Sequence, residues 1–110
     1  MTKPRAPAHL APATRKWFLA VLRDYQLEEH HIRLLTLAGE AFDRAGQARA
    51  LIERDGLVVP TNDGGMKAHP AVTIERDNRL AFARLVRELD LDTGAPSDAP
   101  RPPSLVSNRR

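Results

Sequence analysis

Cysteine is missing altogether, and aromatic residues are scarce: one Trp, one Tyr and three Phe in 110 residues. Without cysteine there is neither a disulfide framework nor a thiolate metal site, which suits a reducing compartment. With so few rings, a core must be assembled from Leu, Ile, Val and Ala carried by few elements, and association would add to it. No apolar run approaches the roughly 20 residues that cross a bilayer, and the proline-rich start lacks the apolar centre of a signal peptide. The expected protein is soluble and intracellular.

Catalytic patterns are missing too. No serine stands beside a general base in a recognisable arrangement, and the carboxylates are interspersed with arginines along predicted helices, so no catalysis is expected. His30 and His31, with Glu28 and Glu29, lack the His-Glu-x-x-His spacing of a zinc protease. His31 reads as a packed, hydrogen-bonded histidine, and no metal or cofactor is expected. Gly64-Gly65 with Lys67 lacks the Gly-x-x-x-x-Gly-Lys-Ser/Thr phosphate cradle and reads as a turn.

What is present is an uneven charge. The net +3 divides into basic ends and an acidic middle: residues 1–23 carry Lys3, Arg5, Arg15, Lys16 and Arg23 with no acid, whereas acids outnumber bases over 24–56. Such asymmetry points to a polyanionic partner, of which nucleic acid is the commonest.

The chain is organised around Asp55 to Pro70, where a helix stop, a short β-branched stretch (Leu57 to Val59), a tight Asn62-Asp63-Gly64-Gly65 turn and a helix restart follow one another. Residues 1–13 read as a flexible basic arm, 14–92 as a helical oligomerisation and DNA-binding domain, and 93–110 as a flexible proline-rich tail. A first helix is predicted from Pro12 to Tyr25, too short to be stable alone, so that Trp17 and Phe18 must pack on something else. A second runs from Glu28 to Asp55, about 42 Å long, with Gly56 as a left-handed stop and Leu57 returning onto Ile52. The third runs from Pro70 to Leu89, with His69 as a mediocre N-cap and Pro70 in the permitted first position. The fold class is thus mainly α: a short N-terminal helix and a long antiparallel helical hairpin joined by a small β-hairpin or loop, with flexible termini.

On the second helix, Leu34, Leu35, Ala38, Phe42, Ala45 and Ile52 gather with Ile32, Gly39 and Gly46 on one broad face, read as intramolecular. Roughly opposite, Leu37, Ala41, Ala48 and Leu51, with Arg44 among them, form a second seam, read as a subunit contact. The third helix carries Ile74, Ala81, Phe82, Leu85, Val86 and Leu89 in one stripe. Asn78 inside that stripe costs stability unless hydrogen-bonded. Arg76, Arg84 and Arg87 lie on the other side; Glu75, Asp77 and Glu88 neutralise much of this face, which reads as solvated or subunit-pairing. Val58-Val59 could pair with a neighbouring subunit's strand. The tail places Leu105-Val106 beside basic residues, as a docking peptide does.

The ordered set Thr14-Arg15-Lys16-Trp17-Phe18, Leu34-Leu35-Thr36-Leu37-Ala38, Asp43-Arg44 with Gln47-Ala48-Arg49, Asp55-Gly56-Leu57, Lys67-Ala68-His69-Pro70, Arg79 to Leu91 and Arg101-Pro102-Pro103 resembles the small subunit of tailed-phage terminases, the branch often encoded beside HNH nucleases. The likeness covers nearly the whole chain, although no single motif in it is diagnostic. It implies a non-enzymatic packaging factor in the host cytoplasm that recognises double-stranded viral DNA, forms a ring and delivers the DNA to the large ATPase and nuclease subunit. The N-terminal segment is short for a separate helix-turn-helix domain, so DNA contact is expected mostly through phosphates, from Lys3, Arg5, Arg15, Lys16 and Arg23. Leu37, Ala41, Arg44, Ala48 and Leu51 are then the oligomer interface. Arg101, Pro102, Pro103, Leu105, Arg109 and Arg110 dock on the large subunit. The alternatives are a small dimeric helical DNA-binding regulator and an assembly protein that touches no nucleic acid.

Overall fold

The computed structural model describes residues 5–91, which form three helices and one two-stranded hairpin: α1 (Pro12–Asp24), α2 (Glu29–Asp55), β1 (Val58–Pro60), β2 (Met66–Ala68) and α3 (Pro70–Leu89). Each helix boundary has a local cause. Proline in the first turn starts α1, and Tyr25, in an extended conformation, ends it while donating its N–H to the Val21 carbonyl at 3.0 Å. The N-cap of α2 is Glu28, one residue beyond the poor capping pair Gln26 and Leu27. A reciprocal capping box forms there, with the Glu28 carboxylate accepting the His31 N–H while His31 Nδ1 accepts the Glu28 N–H at 3.1 Å.

At the far end of α2, Gly56 takes φ 90° and ψ 171°. The positive φ requires glycine, but the extended ψ carries the chain straight into β1 rather than through the left-handed turn expected of a Schellman stop. Leu57 accordingly stands 66% exposed, and its carbonyl accepts the His69 N–H at 2.8 Å. Strands β1 and β2 pair antiparallel, with Val58 opposite Ala68, Val59 opposite Lys67 and Pro60 opposite Met66. The Thr61 to Gly65 loop closes through Thr61 N–H to Gly65 O at 2.8 Å. The Gly65 N–H donates to both Thr61 Oγ1 and Asp63 Oδ1.

His69 proves a sound cap. Its Nδ1 accepts the Ala71 N–H at 3.0 Å, and its Nε2 lies 2.9 Å from Asp55 Oδ2, so one ring ties the end of α2 to the start of α3. With Nδ1 accepting, the proton sits on Nε2 and donates to Asp55. At its other end α3 stops at Asp90, which is in the left-handed conformation (φ 54°, ψ 48°).

Helices α2 and α3 pack along their length as the expected antiparallel hairpin. The pairs Leu35 with Leu89, Phe42 with Phe82, Arg49 with Glu75 and Asp55 with His69 mark its register. The side chains buried from α2 are mostly small: Ala38, Ala41, Ala45 and Ala48, with Leu35 wholly buried. Small residues let the two helices approach closely. The buried arc therefore takes in Ala41 and Ala48 from the face assigned to subunit contact, while Phe42, assigned to the core, is 53% exposed.

Across the open end of this hairpin lies α1. Leu10, Phe18 and Val21 join Leu35 and Leu89 in the main core cluster. The segment ahead of α1, expected to be a free arm, turns between Pro7 and Leu10 (Leu10 N–H to Pro7 O, 3.3 Å) and inserts Leu10 to 2% exposure. Gly39 makes room for it: a Cβ there would lie 3.1 Å from a Leu10 methyl and 3.2 Å from the Thr14 methyl. Asp43 completes the joint by accepting the Ala11 N–H at 2.7 Å and the Thr14 hydroxyl. It thereby serves an orphan donor at the start of α1, the N–H of the N-cap residue Ala11.

Candidate nucleic-acid and subunit interfaces

The basic residues of the first segment meet different fates. Lys3 lies outside the described residues. Arg15 is half-buried and spends its guanidinium on the carbonyls of Leu10 (2.7 Å) and Ala8 (3.1 Å), holding the pre-helical turn in place. Arg23 is exposed and paired with Asp24 at 3.0 Å, which raises its pKa further through the hydrogen bond and the adjacent charge. Lys16 is exposed and has no ionic partner among the described residues. Seven residues apart, Lys16 and Arg23 fall on one stripe of α1. Arg5, also exposed, borders with Arg23 an open cleft of about 520 Å³ floored by Phe18, Leu22, Leu27 and Ile32.

The arginine face of α3 is less neutralised than its sequence suggests. Glu75 was expected to neutralise the arginine face of α3, but its carboxylate is turned inward, where it pairs with Arg49 (3.5 Å) and Arg79 (3.2 Å). Asp77 pairs with Arg76 at 3.6 Å. That leaves Arg84 and Arg87 exposed on the outer face of α3 with no ionic partner among the described residues. The signal was available: at 100° per residue Glu75 falls close to Phe82, on the packed side of the helix.

The subunit seam is divided. Ala41 and Ala48 are 7% and 3% exposed within the protomer, whereas Leu37 is 51% exposed, Leu51 is 38% exposed and Arg44 is exposed. Leu37, Ala41 and Arg44 line a shallow groove with Asn78, Ala81 and Leu85 of α3. Asn78 donates one amide N–H to the Ile74 carbonyl one turn back at 2.9 Å, and no buried side-chain nitrogen or oxygen among the described residues lacks a partner. A second apolar surface lies at the turn end, where Leu57, Val58, Met66 and Ile74 are all exposed.

At the start of α2, Glu28, His30 and His31 place one donor atom each within 4.8 Å of one another, and the two imidazole centroids are 4.1 Å apart. His31 Nδ1 is engaged in the capping box, where it accepts the Glu28 N–H. No described helix is long and apolar enough to cross a membrane. The docking residues assigned in the tail, Arg101, Pro102, Pro103, Leu105, Arg109 and Arg110, lie outside the described residues.

Compared with known proteins, residues 15–101 match the model of a family described as phage terminase, small subunit. No curated protein and no solved structure matches the chain.

Proposed function

The chain belongs to the phage terminase small-subunit family, and we propose that it acts in genome packaging as the non-catalytic subunit that binds double-stranded viral DNA, closes into a ring and delivers the DNA to the large ATPase and nuclease subunit. The observation that carries this reading is the groove of Leu37, Glu40, Ala41, Arg44, Asn78, Ala81 and Leu85, a mostly apolar surface with a polar edge that lies open on the hairpin's seam. A ring requires two different surfaces on each protomer, one meeting the other on the next copy. The groove and the exposed Leu57, Val58 and Met66 end supply two.

Lys3, Arg5, Arg15, Lys16 and Arg23 remain the proposed DNA-binding set, with Lys16, Arg5 and Arg23 presented outward and Arg15 supporting the turn that positions them. Arg84 and Arg87 extend the set to α3. The tail residues Arg101, Pro102, Pro103, Leu105, Arg109 and Arg110 contact the large subunit.

Mass by light scattering, combined with DNA binding across a salt series, tests the proposal. A particle of several subunits is expected, and Leu37→Arg should shift it toward monomer. The logarithm of the binding constant should fall with log salt by about 0.9 for each phosphate contact. Monomer alone at micromolar concentration would sink the ring. A dimer bound tightly to one short site would favour a regulator instead.

A further inference from the structure

Three of the five aromatic residues in this chain surround one open cavity. Trp17 and Phe82 lie 5.8 Å apart and Phe42 and Phe82 5.2 Å apart between centroids, each pair tilted at 55°. With Ala13 and Thr14 they wall a cavity of about 230 Å³ on the α1 side of the hairpin. Tilted aromatic walls with almost no polar lining are the chemistry that receives proline in an extended peptide, because a polyproline segment is preformed and loses little entropy on docking. A half-buried Trp at the wall of a cavity, in an aromatic-poor chain, is also a characteristic binding anchor.

The chain carries such a peptide itself. Beyond the described residues it continues through Pro96, Pro100, Arg101, Pro102 and Pro103. Its starting direction is set by Asp90, whose left-handed conformation ends α3, and by Leu91, which packs back onto the cluster of Leu10, Phe18, Val21, Leu35 and Leu89. That cluster lies on the α1 side of the hairpin, as the cavity does. Phe82 is about 10 Å back along α3 from Leu89 at 1.5 Å per residue, while the nine residues from Leu91 to Pro100 reach up to about 30 Å when extended. Charge agrees with length: the Asp43 carboxylate is hydrogen-bonded to Thr14 in the cavity wall, and Arg101 stands between Pro100 and Pro102.

We propose that the Trp17, Phe42 and Phe82 cavity binds the chain's own Pro100-Arg101-Pro102-Pro103 segment, folded back in cis. The contact needs no DNA, and it competes with the large subunit for Arg101, Pro102 and Pro103. Tethering supplies an effective concentration in the millimolar range, enough for a weak peptide contact to be populated.

Trp17 is the only tryptophan, so its fluorescence reports the cavity directly. Acrylamide quenching is compared between the full chain and the full chain carrying Pro100→Ala, Pro102→Ala and Pro103→Ala, with helix content by circular dichroism as the folding control. The triple variant should be quenched about twofold more readily with unchanged helicity, because the aromatic walls are uncovered. Arg101→Glu should move quenching in the same direction by less. Equal quenching in the full chain and the triple variant would overturn the proposal. So would a difference that disappears on dilution to nanomolar concentration, which would assign the cavity to a neighbouring copy.

Discussion

The two ends of the α2–α3 hairpin are built on different principles. At the α1 end, Leu10, Phe18, Val21, Leu35 and Leu89 exclude water from one another. At the turn end Leu57, Val58, Met66 and Ile74 face outward, and order comes from hydrogen bonds: His69 to Asp55 and Ala71, Thr61 to Asp63, and Gly65 to both of the latter. One end holds the fold by burial. The other holds a shape while leaving its apolar side chains uncovered within the protomer, the surface that the proposed ring would use.

The largest expected effect is therefore at Leu35. Leu35→Ala removes a wholly buried side chain from the centre of the cluster and should cost about 2 to 5 kcal/mol by chemical denaturation. Leu57→Ala, at the exposed end, should stay within about 0.5 kcal/mol in the isolated protomer. Similar losses at both positions would break the comparison.

Much of this contrast was legible beforehand. Proline at position 70, the apolar stripe to Leu89 and Gly56 set the hairpin's two helices, and Asn62 to Gly65 set its turn. The hidden parts were hidden for physical reasons. A helical wheel gives the direction of Ala41 and Ala48 but not the width of the partner surface. Because alanine lets α3 come close, the covered arc is wider than one stripe and takes them in. The cap of α2 escaped because glutamate is a poor cap alone, and only the reciprocal bond from His31 makes Glu28 effective. The part Arg15 plays in holding the pre-helical turn escaped because nothing local shows that the chain at Ala8 and Leu10 will turn its carbonyls toward it. The family, by contrast, could be recognised from the order of many weak signals, none sufficient alone.

An intermediate effect is expected where α1 meets α2. Asp43→Ala removes the acceptor for the Ala11 N–H and the buried Thr14 hydroxyl together. Loss of a helix cap costs roughly 1 kcal/mol, and a buried hydroxyl left without its partner adds about as much again. Chemical denaturation should place this variant between Leu35→Ala and Leu57→Ala. The loss should be accompanied by faster hydrogen exchange in α1, with the α3 amides near the turn unaffected. Uniform acceleration across all three helices would mean that α1 is not a separable addition to the hairpin.

The smallest effect sharpens the comparison by pH. The Asp55 carboxyl is held well below the usual carboxylate range, chiefly by its hydrogen bond with Arg54 and next by that from His69. Asp63 is lowered in the same direction by the Thr61 hydroxyl and the Gly65 N–H. Both carboxylates belong to the turn end. A folded-state pKa below the unfolded value of about 3.9 contributes stability that is fully present above that value and is lost as pH falls toward the folded one. Acidification below about pH 4 should therefore loosen β1 and β2 before the α1 end responds, because the Leu10, Phe18, Val21, Leu35 and Leu89 cluster has no charge to neutralise. Amide resonances of Val59, Lys67 and Ala71 followed from pH 6 to pH 2 should shift or broaden earlier than those of Val21 and Leu35. Asp55→Asn should flatten that pH response while leaving Leu35 unchanged. Simultaneous loss of both ends at one pH would show that the polar clasp and the apolar cluster form a single cooperative unit rather than two separately stabilised ends.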